Sequence, residues 1–195
     1  MSSEAPFVSP EYFEQLYARD PDPWRFATSN YERGKYAATL ASLPDRRFAS
    51  GFEIGCSIGV LTQQLGERCD ALLGVDVSET ALAQARVRCA DQPHVAFARM
   101  VVPGDWPDAP LDLVVFSEVL YYLGIPGLHA AARRTLDSLL PGGCALLVNW
   151  HGPTDGACTG DEAAELFIAD CASRLRPTVQ HRAERYRLDL LQDRA

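Results

Sequence analysis

Residues 50–59 read Ser50-Gly51-Phe52-Glu53-Ile54-Gly55-Cys56-Ser57-Ile58-Gly59. An apolar run opens into a glycine turn, and Val60, Leu61 and Leu65 then come at the spacing of a packed helix. The stretch predicts a strand, a turn and a helix. Gly55 and Gly59 permit positive φ or the close approach of a ligand, while the helix start offers unpaired N–H groups and the positive end of its dipole. A cofactor with a polar or carboxylate head is expected here.

Working outward, Ala71 to Val75 is a second apolar run, and it stops at Asp76. Ser78 then N-caps a helix through Ala81, Leu82, Ala85 and Val87. An acid at the end of the second strand, roughly twenty residues past the first glycine, can accept hydrogen bonds from both hydroxyls of a ribose. The dinucleotide spacing G-x-G-x-x-G is not met, which disfavours a nicotinamide-dependent oxidoreductase. Val95–Met100 alternates as a third strand and Leu111–Phe116 is an apolar fourth, ending in Ser117-Glu118-Val119-Leu120-Tyr121-Tyr122-Leu123. Parallel sheets bind ligands outside the carboxyl ends of their strands, so Ser117, Glu118, Tyr121 and Tyr122 are expected to face cofactor and acceptor. Glu118 reads as a carboxylate that orients or deprotonates an amine, or else as a surface or cap residue.

A helix is predicted over Gly127–Leu140, stopped by Pro141-Gly142-Gly143, and a fifth strand over Cys144–Val148. The strand runs into Asn149-Trp150-His151, where His151 can accept a proton near neutral pH or serve structure alone. Beyond a glycine- and threonine-rich loop at 153–160, Asp161 is expected to cap a helix through Leu166, Phe167, Cys171 and Leu175, and two strands fill 177–191. The result is an α/β fold with seven strands, mostly parallel, the last antiparallel, and helices on both faces. On the amino-terminal side, residues 1–8 read as a frayed lead. One helix begins at Ser9-Pro10 and ends before Asp20, and a second begins after Asn30 and stops at Pro44. Tyr12, Phe13, Trp24, Tyr31 and Tyr36 make this segment aromatic, either as packing or as a lid that excludes water.

With 195 residues and 47% hydrophobic content the chain suits one domain, divided here into a lid segment 1–45 and a core 46–195. A net charge of −8 disfavours a nucleic-acid partner, and no apolar run of about twenty residues suggests a membrane partner. Six dispersed cysteines lack metal-ligand spacing, so no metal is expected. Free thiols without a signal peptide point to the cytoplasm.

Glu53-Ile54-Gly55-Cys56-Ser57-Ile58-Gly59 resembles the E-x-G-x-G-x-G motif of class I S-adenosylmethionine-dependent methyltransferases, with Ser57 replacing the middle glycine. Asp22-Pro23-Trp24, Tyr31-Glu32 with Lys35-Tyr36, Ser117–Leu123, Pro141-Gly142-Gly143 and Arg185–Asp189 narrow the resemblance to the nodulation protein S (NodS) family. That resemblance implies a Rossmann-like fold and methylation of a free amine on a small molecule or a deacetylated amino sugar. An O-methyltransferase and a non-catalytic S-adenosylmethionine-binding module are the alternatives. It also implies that Glu53, Gly55, Ser57 and Gly59 hold the methionine end, that Asp76 and Val77 meet the ribose, and that Ser117 lines the site. Many of these enzymes place an acid after the third strand to meet adenine, but Met100 and Val101 stand there, so backbone or apolar contacts must serve. Glu118, His151 and Tyr31 are the expected catalytic residues. Lys35, the sole lysine of the chain, has no role at this stage.

Overall fold

The computed structural model describes residues 8–193. The expected frayed lead therefore lies outside them apart from Val8. Two helices, α1 (Pro10–Arg19) and α2 (Asn30–Ser42), precede a seven-stranded sheet. The sheet's first half alternates strand and helix through β1 (Gly51–Ile54), α3 (Val60–Gly66), β2 (Leu72–Asp76), α4 (Glu79–Arg88) and β3 (Val95–Arg99). The chain then returns to the other side of β1 with β4 (Leu111–Ser117), a short 3₁₀ turn at Leu120–Tyr122, α5 (Gly124–Ser138) and β5 (Leu139–Trp150). Helix α6 (Gly160–Cys171) and the hairpin β6 (Leu175–Arg182) and β7 (Tyr186–Asp193) complete it.

The strand order is β3-β2-β1-β4-β5-β7-β6, with β7 antiparallel to both of its neighbours. This is the Rossmann-like architecture expected. Reversal of strand order between β1 and β4 opens a crevice at their carboxyl ends, where the two connections leave in opposite directions. Asp112 fixes the other end of this pair: its carboxylate accepts from the backbone N–H groups of Ala49 and Ser50, both at 2.9 Å.

All four residues of β1 and the first six of β4 are buried, as strands covered on both faces must be. Phe52, Val114, Phe116, Leu128, Ala132 and Phe167 form the core on the α5–α6 side. Phe48, Leu61, Leu65, Val115, Leu146 and Leu188 form the core toward α2 and α3.

Three local expectations need correction. The helix predicted over 127–140 is α5 at 124–138, because Leu139 leaves the helix to pair with Leu111 and the strand carries Pro141-Gly142-Gly143 as an irregularity. Gly142, at φ +74°, turns there, and its carbonyl accepts from Arg46 at 3.1 Å. Asp161 does not cap α6. Thr159 does, in a reciprocal capping box with Glu162, while Asp161 receives both Nη groups of Arg182 at 2.9 Å. Leu175 belongs to β6 rather than to α6. Ser9 precedes α1 as expected, but its side chain makes no capping bond.

Candidate cofactor and acceptor site

A cavity of about 610 Å³ opens at the carboxyl ends of β1, β2 and β4. Gly55, Ser57, Asp76, Val77, Met100, Val101, Ser117, Glu118 and Tyr31 line it, nine of the twelve positions expected from sequence. Glu53, Gly59 and His151 do not.

Backbone geometry explains why the turn after β1 is built as it is. Gly55 sits at φ +80°, and a Cβ on it would stand 2.2 Å from Val119 Cγ1. Gly59, at φ +79°, leaves its open side to Ala85 of α4 rather than to the cavity, with Ala85 Cβ 2.9 Å from an added Cβ. Ser57 adopts φ +51°, a left-handed conformation that costs a non-glycine residue roughly 1 kcal/mol or more. The turn spends most of its own amides: Gly55 and Cys56 donate to Val75 O, Gly59 donates to Cys56 O, and Ser57 donates to Asp76 Oδ2 at 3.0 Å. The Ser57 hydroxyl shares a short hydrogen bond with Tyr17 of α1.

Asp76 accepts from Ser57 N and, through Oδ1, from Ser78 N at 3.0 Å. Burial raises its pKa and these backbone donors oppose the rise. Beside it, Val77, Met100 and Val101 form an apolar slot. Asp105, the nearest acid in the loop after β3, is spent on Val101 N at 2.7 Å.

The opposite chemistry gathers at Tyr31, Glu32, Glu118, Trp150 and Arg185. Glu118 is held at φ +58°, while its amide donates to Val148 O at 2.8 Å, so the β4–β5 pairing enforces the conformation. Its Oε2 accepts from Lys35 Nζ, and among the described residues Oε1 carries no hydrogen bond. Burial pushes the Glu118 pKa up, and the Lys35 ammonium pulls against it. The Tyr31 hydroxyl is buried without a partner among the described residues, and burial keeps it protonated by raising its pKa. His151 is turned elsewhere: Nδ1 lies 3.2 Å from Asp161 Oδ2, and Nε2 is buried without a partner among the described residues.

Segments from both sides meet over the cavity. Tyr12 of α1 donates to Asp155 at 3.3 Å, Phe13 packs edge-on against Tyr122 with ring centroids 5.0 Å apart, and Glu14 accepts from Ser78 and Thr80. Tyr17, Glu32 and Lys35 are the site residues that sequence reasoning missed. Glu32 and Lys35 stood in the sequence only as part of the Tyr31-Glu32 and Lys35-Tyr36 pattern and, for Lys35, as the lone lysine of the chain.

Glu53 lies beneath the turn, 1% exposed, against a cavity of about 20 Å³ shared with Tyr36, Ser57 and Glu118. Neither of its oxygens completes a hydrogen bond, although Thr62 lies near enough to draw its pKa down against burial. Burial prevails and the carboxyl is pushed up to about 7. A raised folded-state pKa stabilises the fold below the unfolded value of 4.5, and that contribution is lost as pH rises through about 7. At about 1.4 kcal/mol per pH unit, the difference is on the order of 3 kcal/mol above pH 7. Glu53→Gln is expected to melt within about 2 °C of the parent at pH 4.5 and roughly 5–10 °C above it at pH 8.5, read by calorimetric scans at both pH values. Equal melting temperatures at pH 8.5 would show that Glu53 is not an uncompensated carboxylate.

Among the described residues no cluster of three or more His, Cys, Asp or Glu side chains is placed to hold a metal, and no helix is long and apolar enough to cross a membrane. The family model for nodulation protein S matches residues 10–178. A nodulation protein S from Bradyrhizobium diazoefficiens is 36% identical over 122 residues, covering 62% of this chain and 58% of that protein. The chain spans between half and three-fifths of the length of the curated relatives it matches. A crystal structure of a candidate methyltransferase from Pseudomonas syringae is 36% identical, with a TM-score of 0.70 over 83% of this chain and 98% of that one. The structure of the N-methyltransferase NodS from Bradyrhizobium japonicum WM9 with S-adenosylhomocysteine superimposes with a TM-score of 0.80 over 95% of this chain and 98% of that one, at 24% identity.

Proposed function

The chain belongs to the nodulation protein S family, and on that premise we propose that it is an S-adenosylmethionine-dependent methyltransferase acting on a free amine, of a small molecule or of a deacetylated amino sugar or oligosaccharide. The observation that carries this reading is Glu118: a carboxylate fixed in a left-handed turn, one oxygen held by Lys35 and the other without a hydrogen bond among the described residues, in the same cavity as Asp76.

The residues present fit that cofactor. Asp76 keeps acceptor capacity for the ribose hydroxyls after its two backbone bonds, Val77, Met100 and Val101 offer an apolar slot for adenine, and Gly55, Ser57 and Ser117 border the methionine end. Glu53 and Gly59 shape the turn from behind. When bound, S-adenosylmethionine supplies a methyl group on a positively charged sulfur with a good leaving group behind it.

The chain's own contribution is alignment and a proton acceptor. Alignment is worth effective molarities of order 10⁵ M. An amine acceptor arrives largely protonated at neutral pH and must lose a proton before its lone pair can attack. Glu118 Oε1 takes that proton, and its raised pKa makes it a stronger base than an exposed carboxylate. Tyr31, protonated throughout the working range, donates to the acceptor. His151 is placed outside the acceptor site, its ring committed to Asp161. In the described part of the lid segment, α1 closes the cavity through Tyr12, Phe13 and Tyr17 and excludes water. The five buried cysteines are free and their thiols are held above the usual range, chemistry suited to the cytoplasm.

Calorimetry tests the cofactor directly. S-adenosylmethionine and S-adenosylhomocysteine are expected to bind at micromolar concentration and NAD not at all. Asp76→Ala should weaken the first two about 100-fold or more, since it removes two charge-assisted hydrogen bonds. Absence of binding, with and without glucosamine oligomers, would overturn the reading.

A further inference from the structure

The wall between α2 and β4 holds an ammonium that belongs to the chain itself. Lys35 is 2% exposed. Its Nζ stands 2.8 Å from Glu32 Oε2 on the same helix and hydrogen-bonds Glu118 Oε2 across the cavity wall. The rings of Phe26, Tyr31 and Tyr36 lie 6.0, 5.6 and 5.7 Å from it. Burying an ammonium costs several kcal/mol unless it is paired, and this one has two carboxylates and three ring faces. Apart from its four histidines, every other basic residue of the chain is arginine. A guanidinium donates through a planar fork, whereas an ammonium directs three N–H groups tetrahedrally, which suits carboxylates arriving from two elements.

We propose that Lys35 is the positioning residue for Glu118: it pairs with that carboxylate, anchors one oxygen, and leaves Oε1 turned to the acceptor. The inference rests on the amine-methylating reading for its consequence, but the Lys35–Glu118 linkage can be measured without cofactor or acceptor. Glu118 is faced by Lys35 and Glu32 from α2, by Tyr31 and Tyr36 on the same helix, and by Tyr121 and Tyr122 from the 3₁₀ turn. Glu53 lines the small cavity behind it, and Arg185 stands over the Tyr31 ring at 5.7 Å. The tyrosine pKa values are all raised, so over pH 4–9 the group that shifts Glu118 down is Lys35 and the group that shifts it up is Glu32.

The signs are opposite, and a purely structural role would not reproduce them. Carboxyl-labelled glutamate, with the Glu118 resonance assigned by its loss in Glu118→Gln, is titrated by ¹³C NMR in the ligand-free protein. Lys35→Met is expected to raise the Glu118 midpoint by about one pH unit or more, Glu32→Gln to lower it, and Lys35→Arg to leave it closer to the parent. In the enzyme with cofactor, the acidic limb of the pH–rate profile should move the same way in each variant. Propylammonium should restore Lys35→Ala about tenfold or more, and tetramethylammonium, which has the charge but no N–H, should not. A Glu118 midpoint unmoved in Lys35→Met would overturn the proposal, and if Lys35→Met failed to fold, a midpoint unmoved in Glu32→Gln would overturn it. Shifted midpoints in a protein that binds no S-adenosylmethionine would leave the linkage standing and remove the methyltransferase reading alone.

Discussion

Glu118→Gln is expected to lower kcat about 10²- to 10⁴-fold, the range by which a positioned proton acceptor accelerates a reaction. Affinity for S-adenosylmethionine should stay within about threefold, because Asp76 and the β1 turn are untouched. The amide keeps one acceptor oxygen for Lys35, which leaves its NH₂ facing the cavity as a donor where the protonated amine needs an acceptor. Folding is not the cause of the loss. The substitution removes one of two carboxylates around a single ammonium, so Lys35 remains paired through Glu32 at 2.8 Å, and the melting temperature should hold or rise. Pre-steady-state rates with an amino-sugar acceptor, measured from pH 6 to 10, make the comparison. The variant should recover part of its rate at high pH, where free amine accumulates without help. A variant turning over at the parental rate at pH 7 would take Glu118 out of the chemistry.

Asp189→Leu is expected to cost about 3–5 kcal/mol of stability, because it strands a buried charge. Asp189 is fully buried on β7 and receives Arg187 through two bonds, Nε at 2.7 Å and Nη2 at 3.1 Å, with Gln180 of β6 as a third donor at 2.9 Å. Without it Arg187, itself 6% exposed, keeps mainly Glu165 of α6 at 2.6 Å, a carboxylate two-thirds in solvent. At about 2–4 °C per kcal/mol for a chain of this size, the midpoint should fall by roughly 6–20 °C. The double variant Arg187→Met/Asp189→Leu removes both charges and should recover most of the loss, since well-packed apolar replacements of a buried ion pair are often neutral or stabilising. If the double variant is as unstable as the single one, the cost lies in packing rather than in the orphaned guanidinium.

Sequence reading was strongest where one residue pattern had one physical solution. Short, largely apolar runs such as 111–116, bounded by turn residues, suit strands covered on both faces, and the turn at 55–59 with Asp76 beyond it has few uses besides a ligand site. It erred where two local signals competed. Pro141-Gly142-Gly143 stops helices in general, but here Leu139 gains more by pairing with Leu111 than by extending α5. Asp161 and Thr159 are both good caps, and only the fold reveals that Arg182, twenty-one residues later, occupies the aspartate. The acceptor side of the site was least legible because it is assembled across distance. Lys35 meets Glu118 across 83 residues and Tyr17 meets Ser57 across 40, and no local periodicity carries such a pairing.

The serine in the glycine motif ties two distant positions to one another. A glycine at position 57 would adopt φ +51° without strain but would have no hydroxyl for Tyr17, and a phenylalanine at position 17 would leave Ser57 strained with no partner to justify it. Neither step alone is favourable. Substitutions at positions 17 and 57 are therefore expected to be non-additive, each changing what the other is worth although they lie in different parts of the chain.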